Sequence, residues 1–227
     1  MTDVAFRSVS HLSYEPWRFA AERIQAPAMS CRIDYFFSLV SPWAYIGHRP
    51  FLDLARRHDA TIVYRPVFLN EVFAETGGVP LAKRHPARQA YRMMELQRWR
   101  EKRGLRFRLV PKHWPFDSNL ANCAVLAIVA AGGDPSAFAQ SVFEAIWERE
   151  DNLADITVLS RLIGEPGFNP VAILAAADSA DIRTQYEANR LDAIAIGAFG
   201  SPCYVLDGEV FWGGDRLWMV REKLAAA

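Results

Sequence analysis

Segments that favour β-strands occur near the two ends of this chain and are separated by a long stretch of helical pattern. The runs CRIDYFFSLV and TIVYRPVFL, within residues 31 to 69, are rich in apolar, β-branched and aromatic residues, and CYVL and EVFW follow Gly197. Asp207-Gly208 lies between the last two runs and tolerates positive φ, so it predicts a hairpin turn. The two β segments therefore bracket a helical insertion.

Helix signals dominate residues 70 to 190. Ala87, Ala90 and Met94 follow a helical period, and residues 119 to 131 are almost wholly apolar over the length of a helix. We expect about four or five helices here, forming an all-helical domain of residues 70 to 190 that interrupts a β-containing domain of residues 31 to 69 and 191 to 227. Residues 1 to 30 have no clear period and are assigned to an N-terminal extension.

Charge and composition exclude several classes of function. Lys plus Arg and Asp plus Glu both total 26, which gives no reason to expect nucleic acid or an anionic membrane as a partner. No window approaches the roughly 18 to 20 continuous apolar residues that span a bilayer. The 3 cysteines are odd in number and widely separated, so we expect no disulfide framework and a cytoplasmic location. The histidines form no metal-binding pattern, and we expect no metal.

The junction between the first strand and the first helix carries Ser41 and Pro42. Serine is a favoured N-cap residue, and proline suits the first helical position. The helix is expected to run to about His58 and to lead into the second strand, which completes a strand, helix, strand unit. On this tetrapeptide alone, SPWA, capping is the favoured role of Ser41.

Two further motifs change that interpretation. Gly200-Ser201-Pro202 precedes a strand, and Trp212-Gly213-Gly214-Asp215-Arg216 precedes the last helix, where Asp215 or the preceding glycine can act as the cap. Glycines at a helix start let a ligand approach main-chain N–H groups, which makes an anion site.

In this order, the three features resemble the DsbA-like branch of the thioredoxin-like superfamily. The chain is more closely similar to the 2-hydroxychromene-2-carboxylate isomerase family and its relative, the kappa-class glutathione transferases. The resemblance covers roughly residues 31 to 225 and rests on these segments: DYFFSLVSPWAYIG, MELQRWREKRGL, LVPKHW, AIWERED and GAFGSPCYVLDGEVFWGGDRL. It implies an α/β protein with a thioredoxin-like fold, an inserted all-helical domain and glutathione as cofactor.

The resemblance also implies roles at the glutathione site. Redox relatives carry CxxC where this chain has Ser-Pro-Trp-Ala, so dithiol exchange is excluded at this turn, and Ser41 is expected to donate a hydrogen bond to the glutathione thiolate. Ser201, before a cis Pro202, is expected to bind the cysteinyl backbone. Asp215 is expected to hold the γ-glutamyl ammonium, while backbone N–H groups of Trp212, Gly213 and Gly214 take its carboxylate.

Weaker expectations concern the substrate. Segments bordering the cavity in relatives place Asn70, Lys83 and Trp114 near the aromatic carboxylate. Relatives carry Asn near the position of Gly78 and Asn or Ser at that of Gly214, so this chain departs from the pattern twice. Ten Lys or Arg residues lie between positions 83 and 108, where a solvated face is the favoured explanation and contact with an anionic substrate is the alternative.

Cys203 directly follows Pro202, and two interpretations stay open for it: a thiol near the bound glutathione, or a small buried apolar residue, which is favoured.

The implied activity is the glutathione-dependent interconversion of 2-hydroxychromene-2-carboxylate and trans-o-hydroxybenzylidenepyruvate by a homodimer. One alternative keeps the site but makes the protein a kappa-type glutathione transferase or peroxidase. The other, of a different class, is a non-catalytic thioredoxin-like binding module.

Overall fold

A mixed four-stranded sheet joins the two ends of the chain. The structure is a computed structural model and describes residues 31–226, so the N-terminal extension assigned to residues 1–30 lies outside the described residues. The strands are β1 (Arg32–Phe37), β2 (Thr61–Pro66), β3 (Cys203–Leu206) and β4 (Glu209–Trp212), in the order β2-β1-β3-β4. Strand β1 is parallel to β2 and antiparallel to β3, and β3 and β4 form the predicted hairpin.

Strand β1 lies inside the sheet and presents side chains to two different cores. Ile33, Tyr35 and Phe37 point to the larger core and are fully buried, whereas Phe36 points to a smaller core on the opposite face. The Tyr35 ring stacks on that of Tyr204 in β3, with centroids 5.5 Å apart. Because both faces are covered at the end of the strand, its last three residues, Tyr35, Phe36 and Phe37, are all aromatic and buried, which explains the strength of its sequence signal.

Helix α1 (Pro42–Arg57) connects β1 to β2. It ends at the C-cap His58, as predicted, with Arg56 and Arg57 in its last turn, where cations stabilise the helix dipole. Its buried face packs on the sheet, on a short 3-10 turn (Gly214–Arg216) and on the last helix, α9 (Leu217–Ala226). The N-terminus of α1 therefore lies close to the segment that precedes α9.

The insertion contains seven helices in the described residues, and the expectation of four or five was wrong. They are α2 (Leu69–Thr76), α3 (Pro86–Arg103), α4 (Asn119–Ala130), α5 (Ser136–Glu144), α6 (Ile156–Gly164), α7 (Pro170–Ala177) and α8 (Ala180–Ile196). A π-helical turn, Ala145–Arg149, extends α5. The additional breaks arise where Asp155, Asn169 and Ser179 accept backbone N–H groups and so start new helices.

The insertion packs on the sheet from more than one side. Helix α5 contacts α1, while α2 and α8 cover the smaller core through Val72 and Ala193. Both predicted domain boundaries fall inside helices, because α2 begins at Leu69 and α8 ends at Ile196. The division into domains stays a prediction. No helix of residues 31–226 has the length and apolar character needed to cross a membrane.

Candidate functional site

Ser41 joins the start of α1 to the loop before β3. Its backbone is extended, and its Oγ accepts a hydrogen bond from the Ala44 N–H at 3.2 Å, so it is the predicted N-cap. The same hydroxyl donates to the Ser201 carbonyl at 3.0 Å. The Ser41 side chain is thus buried, and its hydroxyl both accepts and donates a hydrogen bond within the protein. The contact with Ser201 joins residues that are distant in the chain, so the local sequence could not reveal it.

Ser201 contacts the turn before α1 at two places. Its Oγ accepts a hydrogen bond from the Ser38 N–H at 2.9 Å, and its carbonyl accepts the one from Ser41. The Ser201–Pro202 bond is cis, as the resemblance implies. Because a carbonyl has two lone pairs, this carbonyl could still accept a second hydrogen bond from a peptide ligand.

The glycine turn before α9 packs closely on α1. A Cβ atom added to Gly214 would lie 3.0 Å from the Gly47 Cα, which is closer than ordinary contacts allow. Gly213 has a φ of 98° and donates its N–H to the Pro202 carbonyl at 2.9 Å. The Gly213 N–H is therefore already bonded within the protein. It is one of the backbone donors that were expected to bind a ligand carboxylate at this turn.

Asp215 does not cap α9. It lies inside the 3-10 turn, two residues before the helix begins, because that turn continues directly into Leu217. Its carboxylate pairs with Arg216, and both side chains are nearly half exposed. The carboxylate is thus accessible to a cation from solvent, although its expected contact with an ammonium group stays a prediction.

Trp212 supplies an exposed aromatic surface at the same edge. Its side chain lies over Gly200, where an added Cβ would come within 2.4 Å of the indole Nε1. Its ring meets that of Phe199 edge to face, with centroids 4.8 Å apart, and both residues are exposed. The loop around Ser201 is therefore flanked by an apolar ledge that faces solvent.

The predicted substrate residues are only partly brought together. Trp114 donates its indole N–H to the Val40 carbonyl at 3.0 Å, so its ring lies against the residue that directly precedes Ser41. Asn70, in the first turn of α2, and Lys83, in a 3-10 turn, are both exposed. No hydrogen bond or ion pair within the described residues joins either of them to the Ser41 turn.

Asn122 is a site residue that sequence reasoning missed. It lies on α4, is fully buried, and accepts the Leu39 N–H at 3.1 Å through its Oδ1. Its Nδ2 donates to Ser118 Oγ at 3.2 Å and to Tyr186 Oη at 2.9 Å. The helical insertion thus holds the backbone that leads to Ser41. An amide side chain inside the apolar run NLANCAVLAIVA was the available signal.

Two other groups near α1 and β3 serve the core. Burial lowers the pKa of His48 to about 4, and its ring nitrogens contact the Tyr35 hydroxyl and the Ser136 carbonyl. Burial likewise raises the pKa of the Cys203 thiol to about 12, and the residue has no exposed surface. The structure therefore agrees with the favoured interpretation of Cys203 as a small buried residue.

The arrangement can stabilise a thiolate brought by a ligand. The N-terminus of a long helix favours negative charge through its dipole and its unpaired N–H groups. At Ser41 a hydroxyl stands at that N-terminus, and the Ser-Pro-Trp-Ala turn contains no sulfur. The turn therefore lacks a nucleophilic thiol of its own and retains the environment that would lower the pKa of one.

Comparisons with known proteins agree with the geometry. A family model described as the DSBA-like thioredoxin domain matches residues 32–225. A 2-hydroxychromene-2-carboxylate isomerase from Sphingobium xenophagum is 31% identical over 193 residues, which cover 83% of this chain and 95% of that protein. Glutathione S-transferase kappa 1 of Caenorhabditis elegans is 26% identical over 85% of this chain and 90% of that relative.

A solved structure of a 2-hydroxychromene-2-carboxylate isomerase matches the fold with a TM-score of 0.75 and 23% sequence identity, over 86% of this chain and 95% of the other. The family resemblance and the thioredoxin-like fold with its helical insertion are thus confirmed. The chain belongs to the DsbA-like thioredoxin family and, within it, to the 2-hydroxychromene-2-carboxylate isomerase family.

Proposed function

We propose that this protein is a glutathione-dependent isomerase that interconverts 2-hydroxychromene-2-carboxylate and trans-o-hydroxybenzylidenepyruvate. The observation that carries the proposal is the hydrogen bond from Ser41 to Ser201, which joins a sulfur-free helix N-terminus to a cis-proline loop. The isomerase relative of 31% identity supports the reaction, and the kappa-class relative, a glutathione S-transferase by name, supports the cofactor.

The glutathione thiolate would lie at the N-terminus of α1. On glutathione binding, the Ser41 hydroxyl would turn from the Ser201 carbonyl to the sulfur and donate its hydrogen bond there, which favours the thiolate. Ser201 and Pro202 would align the cysteinyl backbone. Asp215 would hold the γ-glutamyl ammonium, and the Trp212, Gly213 and Gly214 turn would face its carboxylate.

In the proposed chemistry, glutathione is regenerated. The thiolate adds to an electrophilic carbon of the ring-opened keto form, so a carbon–sulfur bond forms and the carbon–carbon double bond becomes single. Rotation about that single bond is followed by expulsion of the thiolate, which restores the double bond in the trans geometry. No electrons are gained or lost overall. Holding the thiolate and the electrophile together would provide most of the acceleration.

We also propose that the protein is a cytoplasmic homodimer. Residues 31–226 contain all three cysteines, and each is a free thiol, which suits a reducing compartment. The dimer follows from the family resemblance alone, and sedimentation of the full chain would test it.

The decisive experiment follows isomerisation of purified 2-hydroxychromene-2-carboxylate by absorbance, with and without glutathione, while free thiol is titrated. The proposal expects turnover only with glutathione and no loss of thiol. Irreversible thiol consumption with a chloronitrobenzene substrate would instead support the kappa-type transferase. No retention on immobilised glutathione, and no rise in melting temperature in millimolar glutathione, would indicate a non-catalytic module.

A further inference from the structure

Three arginines at the start of α3 are spaced four residues apart: Arg84, Arg88 and Arg92. Arg88 and Arg92 lie one turn apart on the same face of the helix, whereas Arg84 precedes the helix and directly follows the 3-10 turn Leu81–Lys83. The charge of Arg84 acts on Arg92 and that of Arg88 acts on Arg84, so the three lie near one another. Within residues 31–226, none of them forms an ion pair with a carboxylate. The protein thus keeps three like charges together without the counter-charge that normally accompanies such a group.

Two of these arginines are partly buried against aromatic rings. The Arg92 guanidinium lies 5.7 Å from the centroid of the Trp114 ring, and that of Arg84 lies 5.9 Å from the Phe73 ring. Burial, and then the charge of Arg84, lower the pKa of Arg92 to about 10. The pKa of Arg84 is lowered by burial and by Arg88. Desolvation without a counter-charge is unfavourable, so an anion would be bound strongly here.

Two other arginines of the same basic segment have a carboxylate partner. On α3 itself, Arg98 pairs with Glu95 at 2.5 Å, and farther along the chain Arg108 pairs with Glu150 at 3.6 Å. A solvated basic face explains these residues. It does not explain Arg92, which is half-buried and whose polar contact in the described chain is the Met93 sulfur at 3.8 Å.

Trp114 connects this cluster to the candidate site. One edge of its indole donates to the Val40 carbonyl, which immediately precedes Ser41, and its ring receives Arg92. The Trp147 ring lies 5.8 Å from that of Trp114, and its buried N–H has no acceptor in the part of the chain that the structure describes. Trp114 therefore links Arg92 to the backbone that leads into Ser41.

We propose that Arg92, held over the Trp114 ring and supported by the positive field of Arg84 and Arg88, binds the carboxylate of the planar aromatic substrate. The guanidinium fork can take both carboxylate oxygens, while the indole ring offers a flat apolar surface beside it. This inference rests on the proposed function for the identity of the ligand. It adds the residue that would select an acid over its neutral analogues.

The test uses the full chain and two probes, chromone-2-carboxylate and the uncharged chromone-2-carboxamide, with binding measured by calorimetry. The wild type is expected to bind the acid more tightly than the amide. Arg92→Gln should weaken binding of the acid about tenfold or more and leave the amide unchanged. Arg92→Lys should restore part of the preference for the acid over the amide. Arg98→Gln, on the same helix but paired with Glu95, is the matched control and should change neither.

Equal affinities of the wild type for acid and amide, or an unchanged acid affinity in Arg92→Gln, would overturn the inference. If Arg92 had a purely structural role, Arg92→Gln would lower the melting temperature and weaken binding of both probes equally. We expect instead that the melting temperature does not fall, because the substitution relieves the repulsion of Arg92 by Arg84 and Arg88. If Arg92→Gln loses acid binding but the wild type never isomerises the chromene, the proposed function fails and the anion site stands. If the wild type isomerises the chromene and Arg92→Gln keeps full activity with an unchanged KM, the anion site fails and the proposed function stands.

Discussion

Replacing Ser41 with alanine separates the capping role of this residue from its proposed role toward a thiolate. The hydroxyl makes two hydrogen bonds, one from the Ala44 N–H and one to the Ser201 carbonyl. Loss of an N-cap costs about 1 kcal/mol, and loss of a further buried hydrogen bond costs a similar amount. We therefore expect Ser41→Ala to lower the free energy of unfolding by about 2 kcal/mol and to remain folded.

The functional effect is expected in the pKa of bound glutathione. A hydrogen bond from a neutral hydroxyl to a charged acceptor contributes about 1.5 to 3 kcal/mol. Because about 1.4 kcal/mol corresponds to one unit of pKa, removing this hydrogen bond should raise the thiol pKa in the complex by about one to two units. The direction is upward because the lost donor stabilised the deprotonated form. The measurement is the ultraviolet absorbance of the thiolate in the complex, titrated with pH, together with turnover, which should fall.

A second cap provides the control. Asn169 caps α7 by accepting the Ala172 N–H at 3.2 Å and makes no contact with Ser41 or Ser201. Asn169→Ala should therefore lower stability by about 1 kcal/mol without changing the thiol pKa. If Ser41→Ala binds glutathione with an unaltered thiol pKa, the electrostatic role of Ser41 is refuted, and its hydroxyl is only a structural cap.

Three further predictions concern groups around the site. His48 is buried and has a pKa of about 4 against 6.5 in the unfolded chain, so between these pH values only the unfolded chain binds the proton. The free energy of unfolding should therefore fall by about 3 kcal/mol as pH drops from 6.5 to 4. Urea unfolding at several pH values should show this fall, and His48→Gln should reduce it. Gly214→Ala places a Cβ 3.0 Å from the Gly47 Cα and should cost about 1 to 3 kcal/mol, so an unchanged melting temperature would contradict the close packing described. Asn122→Leu leaves the buried Leu39 N–H without its acceptor and should lower stability by about 1 to 3 kcal/mol in urea unfolding, and equal stability would show that another group replaces the amide.

Some features were predictable because their causes are local. The β3–β4 hairpin follows from Asp207 and Gly208, which both have positive φ, and the Ser41 cap follows from a serine placed before proline. Apolar runs likewise identified β1 and α4. The helix count failed because short polar caps such as Asn169 divide the latter part of the insertion without disturbing its composition.

The sequence by itself, through local propensity and motif order, determined the family, the strand–helix junction at Ser41 and the absence of sulfur from that turn. Only the tertiary structure decided which groups meet there. The hydroxyl of Ser41 finds the carbonyl of Ser201, and Asn122 finds Leu39, across separations of 160 and 83 residues. Such contacts depend on how α1, β3 and α4 pack, and side-chain periodicity carries no information about partners so distant in the chain.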